Sequence, residues 1–593
     1  MPASRAKAIA LAMGFLVLAP TALAQQPGKP LVITSPALEP AAGNEAPPAP
    51  VGSPVPEAGP TSGPIPKAEF PGGPPKAPPR FEMEELSAPD PDGFGALGES
   101  QGGLGKGMWH GTQAATVRKI LPTLPAASGS RTMQLLTRRL LLSSATPPEG
   151  NRGLTPSLME LRAERLYAMG SLEGLGQLLK ASPSALASPG LARIEIDTWL
   201  LAGEAKTACE KATVQAQTVQ ADPRLTVFCQ ITAGKTLEAG MALDLMRERK
   251  DADHAFIAAA EAMTGIPPAK VTKLPEPLPL HLAAFKAAKL PLPADVAANA
   301  PPSMLRAIAD NPAMQADIRI TAAERAESLG VLEVEGLRRL MTDLSFTPAE
   351  IQAAQAQGDK SPRGRALALL AAGAENAGNA RGELIARILM AAEERRAFAA
   401  ASRLYAALIA DLQPLPELNQ AAPLLARALY AAGRTEAAEK WLALARTDPA
   451  AAKAAAGLWP LARISRIGLD PSPADSFAAW LATAQPNERR IVVTMSMLQA
   501  IGEPVPASAW LAHSSGDIAA TAAKPALMAL LRAAALGARR AEVVMLTAAI
   551  IGEGHLVNAD PDTVGRLVTF LRQAGFEREA RDLAVEMVLA NGG

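Results

Sequence analysis

Aromatic side chains are scarce: Phe, Trp and Tyr together make up 4% of 593 residues, with three tyrosines in all. A chain this poor in rings is badly supplied for a sugar-stacking cleft or an aromatic-lined ligand pocket. Net charge is missing too, because 58 Lys and Arg balance 58 Asp and Glu. With no basic excess and no long charged block, nothing marks a nucleic-acid partner. The five histidines, His110, His254, His281, His513 and His555, are scattered without paired-ligand spacing, so each is expected at the surface or at a helix end. Past the N-terminus no apolar run escapes charge for eighteen residues; the stretch 530–551 carries Arg532, Arg539, Arg540 and Glu542. The expectation is therefore no cofactor, no metal, no catalytic residue and no membrane span after processing.

Cysteine is nearly absent as well, and its two copies gain meaning from the N-terminus. Arg5 and Lys7 precede an apolar core from Ala8 to Ala19, and Ala22-Leu23-Ala24 supplies small residues at a cleavage site. This is the pattern of a signal peptide spanning residues 1–24, too short to cross a membrane, with cleavage expected after Ala24. Gln25 rather than cysteine follows the cut, so no lipid anchor is expected. Periplasmic export places Cys209 and Cys229 in an oxidising compartment, where two cysteines alone are expected to form one disulfide. Closing that loop contributes roughly 3 kcal/mol on a chain-entropy estimate. The spacing excludes a catalytic CxxC.

What is abundant is alanine, about a fifth of the chain. Alanine loses no side-chain entropy in a helix, so the composition favours helices throughout. Residues 25–107 differ: proline and glycine exceed a third of them, with few apolar side chains to bury. They are expected to form a disordered, partly polyproline-II leader. Helical spacing of apolar residues then defines a repeat domain over 108–265, a Pro-rich connection over 266–302 with a short helix near His281 to Ala288, and a second repeat domain over 303–593.

Within these domains five glycines end one helical stretch just before the next: Gly170, Gly203, Gly234, Gly433 and Gly575. Four of them have an alanine five residues later, namely Ala208, Ala239, Ala438 and Ala580, and the fifth has Leu175. Glycine suits a left-handed helix end, and a small residue one turn on lets two helices touch. The first three glycines are 33 and 31 residues apart. The clearest unit, Leu425 to Pro449, places Leu425, Ala426 and Leu429 in a first helix, Gly433 at the turn, and Ala438, Leu442 and Ala445 in a second. Leu567 to Val588 repeats the frame with Leu571, Gly575, Ala580 and Ala584. Here the chain resembles the tetratricopeptide-like repeats, a superfamily that includes Sel1-type hairpins. The resemblance implies an all-α helix-hairpin solenoid with a concave protein-binding surface and no reaction of its own. Pro449 is expected to close its unit, and Arg131 to Ser144 to form the first helix with its basic face in water.

Motifs that suggest chemistry fail on spacing or setting. Cys229 to Thr236 looks like a phosphate loop, but its first glycine is replaced and Gly234 is a repeat turn. Gly103 to Gly107 fits no nucleotide pattern, and Asp90-Pro91-Asp92-Gly93 begins like a calcium loop until Phe94 stands where a ligand belongs. His513 to Asp517 has hydrolase residue types on a single loop, without the geometry of a triad. A lysozyme-like domain would need a shielded Glu, and Glu99-Ser100, one of two Glu-Ser pairs, is expected in the disordered leader. These readings converge on a non-enzymatic periplasmic scaffold or adaptor that binds protein partners of the cell envelope. The alternatives are a peptidoglycan-processing enzyme and a purely structural envelope spacer.

Overall fold

The computed structural model describes residues 90–593, apart from 182–187, 216–221, 250–251, 350–357, 469–473, 485–486, 515–517 and 519. The expected signal peptide and the leader up to residue 89 lie outside these residues. Among the described residues the protein is all-α, with 28 α-helices and no strand beyond three isolated bridges.

Proline, abundant at 53 copies, begins helices rather than ending them. Pro189, Pro223, Pro302, Pro362, Pro449 and Pro561 are each the first residue of a helix, where the missing N–H costs nothing. Most follow a side-chain cap: Ser188, Asp222, Ser361, Asp448 and Asp560 accept a backbone N–H from the first turn. Pro449 therefore opens the helix Pro449–Gly457 instead of closing the preceding unit, because Asp448 caps it.

Gly170, Gly203, Gly234, Gly433 and Gly575 all have positive φ, between 69° and 83°. Two hydrogen bonds close each helix end; at Gly433 its own N–H reaches the Tyr430 carbonyl (3.0 Å) and the Arg434 N–H reaches that of Leu429 (2.8 Å). Five residues on, Leu175, Ala208, Ala239, Ala438 and Ala580 are buried. The same bond pattern recurs without glycine at Arg396 (φ 58°) and Ala538 (φ 52°).

The Pro-rich stretch 266–302 is not where the core divides. One core joins residues from Leu104 to Ile194 with others from Leu274 to Val588. A second, smaller core is built by residues from Ile196 to Phe285. The helix Pro279–Ala287 faces both: Leu282 belongs to the main core, and Leu280, Ala284 and Phe285 to the small one. Residues 189–287 thus form an arm whose last helix packs back on its first, Pro189–Ala202.

The expected leader also ends earlier than residue 107. Residues 90–107 are folded: Leu104 is buried, and the Asp92 carboxylate accepts the N–H groups of Leu158 (3.1 Å) and Met159 (2.8 Å) at the start of the helix Leu158–Ala168. A short, Gly-rich segment is ordered here because its polar groups find partners in the helical body.

The two ends of the body meet. The C-terminal helix Glu577–Ala590 packs against the helices Arg131–Leu142, Ala422–Ala431, Trp459–Ile464, Glu488–Ala500 and Pro561–Gln573, and Arg131–Leu142 also packs on Arg540–Ile551. Polar contacts fix this joint. The Thr132 N–H and hydroxyl donate to Glu586 (2.9 and 2.8 Å), as does the Ser130 hydroxyl. Arg403 grips the fully buried Glu327 carboxylate with two bonds of 2.8 and 2.9 Å, and Arg131 reaches the same carboxylate at 3.5 Å. Burial lifts the Glu586 carboxyl above its usual range despite those hydroxyls. The basic face of Arg131–Leu142 is therefore not turned to water: Arg131 and Arg139 are ion-paired, and Arg138 has buried guanidinium nitrogens.

The turn glycines separate conformational from steric cost. A Cβ on Gly433 meets nothing within 4 Å, whereas one on Gly170 lies 2.5 Å from the Pro302 carbonyl oxygen. Gly433→Ala is expected to cost about 1–2 kcal/mol from the left-handed backbone alone. Gly170→Ala is expected to cost clearly more, because two hairpins must separate. Equal losses in chemical denaturation would contradict this assignment.

Candidate protein-binding face

The arm is held by polar devices repeated along it. Asp222 caps the helix Pro223–Thr232 and Asp253 caps His254–Met263. Arg224 donates to Asp222 (3.1 and 3.2 Å) and to Asp253 (2.8 Å), and the buried His281 meets Asp253 through Nε2 at 2.9 Å. The Leu278 N–H donates to His281 Nδ1 (3.0 Å), so Nδ1 accepts and Nε2 carries the proton toward Asp253. On the other side Arg193 links Asp222 to Asp197, which accepts from the Tyr167 hydroxyl (3.2 Å). The result is a ladder of carboxylates and cations from the middle of Pro189–Ala202 to the starts of Pro223–Thr232 and His254–Met263. Burial alone would raise the Asp253 carboxyl, but His281, the Phe256 N–H and Arg224 overcome it and hold it well below the usual aspartate range. Burial pushes Asp197 the other way.

Cys209, in the helix Ala205–Val214, and Cys229, in Pro223–Thr232, form a disulfide with Cα atoms 5.4 Å apart. It joins the second helix of one hairpin to the first of the next, beside the smaller core.

Next along the arm is the helix Thr236–Arg247. It buries Ala239 and Leu243 against the helices Pro223–Thr232 and His254–Met263. Its outer side carries Leu237 (80% exposed), Met241 (64%) and Leu245 (67%). Spaced at i, i+4 and i+8, these three make a continuous apolar ridge. Single exposed leucines are ordinary, whereas a ridge on one helix face marks a place for a partner. Glu238, Asp244 and Glu248 flank it in exposed positions; Asp244 is ion-paired with Arg247, which also meets Glu261 at 2.6 Å. Sequence periodicity does not separate this ridge from a core face. Its signal is that the helix is apolar on two sides, one more than a hairpin can bury.

The remaining motif residues fall elsewhere. Lys235 and Thr236 form the start of this same helix behind the left-handed Gly234, with no strand before them. His110, His254 and His555 are exposed, while His281 is a buried cap and His513 Nδ1 meets Glu488 at 2.7 Å. The partners expected on the His513 loop, 515–517, lie outside the described residues. Glu99 and Ser100 begin an exposed 3-10 turn, not a shielded cleft. Among the described residues no group of three or more His, Cys, Asp and Glu side chains is placed to hold a metal ion. No protein-family model matches the chain, and neither a curated protein nor a solved structure matches it.

The Asp253 cluster predicts an acid response. A carboxylate with a lowered folded-state pKa contributes its full stability above the ordinary value, 3.8 here, and loses it as the pH falls toward the folded-state value. Hydrogen-exchange protection in the helix His254–Met263, taken relative to the intrinsic rate at each pH, is expected to fall below about pH 4. Asp253→Asn should flatten that dependence and raise exchange at neutral pH; an unchanged pH profile would remove the ladder from the arm's stability.

Proposed function

We propose that the chain is an exported, non-enzymatic scaffold or adaptor of the cell envelope, a tetratricopeptide-like solenoid that docks a protein partner on the outer ridge of its disulfide-stapled arm. The signal sequence ending at Ala24 directs it to the periplasm, and the Pro/Gly-rich leader acts as its tether. One observation supports export, the formed Cys209–Cys229 disulfide. Among the described residues no helix is long and apolar enough to cross a membrane. The observation that carries the binding role is the ridge of Leu237, Met241 and Leu245. A concave groove is a poorer candidate, since the C-terminal helix packs against five other helices of the body.

The occupant that fits is an amphipathic helix with basic flanks. A ridge at i, i+4 and i+8 seats between the ridges of another helix, and the exposed Glu238 and Glu248 stand beside it. Full burial of each ridge side chain contributes about 1.5–3 kcal/mol. Association costs of at least about 4 kcal/mol offset much of that sum, which suits a reversible contact.

The test is a photoreactive residue at Met241 in the full-length protein in its own compartment, with one at exposed Glu436 as control. The expected result is a discrete protein adduct from position 241 that disappears in Leu237→Glu/Leu245→Glu. Both leucines face solvent, so the thermal midpoint should hold. Adducts only to lipid, or none at 241, would overturn the reading.

A further inference from the structure

A cleft of about 630 Å³ opens between the turn at Asp90–Gly93 and the segment 144–152, away from the residues of the arm. Its walls are knitted together from behind by one buried arginine. Arg162 donates to the carbonyls of Phe94 (2.7 Å) and Asp92 (3.3 Å) on one wall, and to those of Leu141 (2.7 Å) and Ser143 (2.9 Å) behind the other. Burial pushes its pKa down to about 10, so it stays charged at neutral pH. The walls are also in close contact, since a Cβ on Gly95 would lie 2.3 Å from the Ser144 nitrogen. A cleft held this way keeps its shape without a ligand.

The lining has two kinds of surface. Phe94, 37% exposed, faces the same space as Pro147 and Pro148. Lys106 and Arg152 are exposed at it, and among the described residues neither has a carboxylate partner. Asp90 uses one carboxylate oxygen to take the Asp92 N–H at 3.0 Å. Against the single carboxylate of Asp90, two cations without a carboxylate partner among the described residues leave the lining net positive and suited to an anion. A bare phosphate is best held by a nest of backbone N–H groups, and a wall of two prolines offers none. The surface instead suits an anionic group attached to an apolar body, and the volume lies within the usual range for small-ligand sites.

We propose that this cleft captures the C-terminal end of a peptide, with the terminal carboxylate taken by Lys106 and Arg152 and the last apolar side chain laid against Phe94, Pro147 and Pro148. Recognition of a free chain end by cations beside an apolar wall needs only two or three residues of ligand. The site is independent of the ridge on the arm.

Isothermal titration of the full-length protein with acetyl-Ala-Ala-Phe tests it, as free acid and as C-terminal amide, with inorganic phosphate as competitor. The free acid is expected to bind, and the amide at least about tenfold more weakly. Lys106→Ala and Arg152→Ala should each lose roughly tenfold for the acid, and Phe94→Ala should weaken it while leaving its preference over the amide. All three side chains are solvent-exposed, so an unchanged thermal midpoint checks that the fold survives. Equal binding of acid and amide, no binding of the acid, or displacement by phosphate at concentrations matching the peptide would each overturn the proposal.

Discussion

The joint around Glu327 and Glu586 is the constraint on which the rest of the body depends. Taking a carboxylate fully out of water costs several kcal/mol, and the structure tolerates Glu327 there because Arg403 and Arg131 converge on it. Glu586 is received in the same way by the hydroxyls of Ser130 and Thr132. These groups come from four segments, and the Ser130–Glu586 contact spans 456 positions. Loss of Arg403 leaves the Glu327 charge undercompensated, which for buried pairs typically costs about 3–5 kcal/mol. The first long helix and the last are thus held to one mutual placement, and the helical body is closed end to end.

That joint explains what could be read from the sequence and what could not. Helix, hairpin turn and disulfide are local. Gly433 must be left-handed to end one helix and start the next within a few residues, and Cys209 and Cys229 lie one loop apart. Such features leave signatures within a window of about thirty residues. Arg396 and Ala538 show the limit even there, because they take the left-handed turn without glycine and so give no signal. Glu327, Arg403 and Glu586 have no local signature at all, since each looks like a surface residue of an amphipathic helix until distant helices close over it. The boundary near residue 107 fails for the same reason. Composition marks 90–107 as unable to build a core, yet Arg162 and the helix start at Leu158 supply partners from elsewhere. The ridge on Thr236–Arg247 is the converse, an apolar face that reads as core and is left uncovered.

Body and arm solve different problems. The body has a large continuous core and closes on itself, so its internal order comes from long-range packing. The arm's own core is a small fraction of that and leans on the main body through the helix Pro279–Ala287. A small core limits the free energy available from burial, and covalent and capping devices compensate. The disulfide, the caps Asp222 and Asp253 and the His281 contact all fall within this arm. Rigidity there has a second consequence: a ridge presented on a fixed helix loses little entropy when a partner covers it.

The scarcity of aromatics sets the last problem, which is uniqueness. Faces built from alanine and leucine are smooth and can slip by a turn with little penalty, since few large rings lock into complementary holes. The chain answers with arginine. Arg162 ties four carbonyls together; Arg581 donates to those of Arg463, Ile464 and Arg466; Arg325 reaches Ala297 and Ala300; and Arg540 spans Ala574 and Leu104. The last helical carbonyls have no partner within their own helix, and a planar five-donor fork from a neighbouring element satisfies them in one register only. A shift of one helical turn would leave both the carbonyl and the guanidinium unpaired in a dry setting, which costs far more than sliding methyl groups. In this protein the apolar faces bring the helices together, and the arginines decide where they stop.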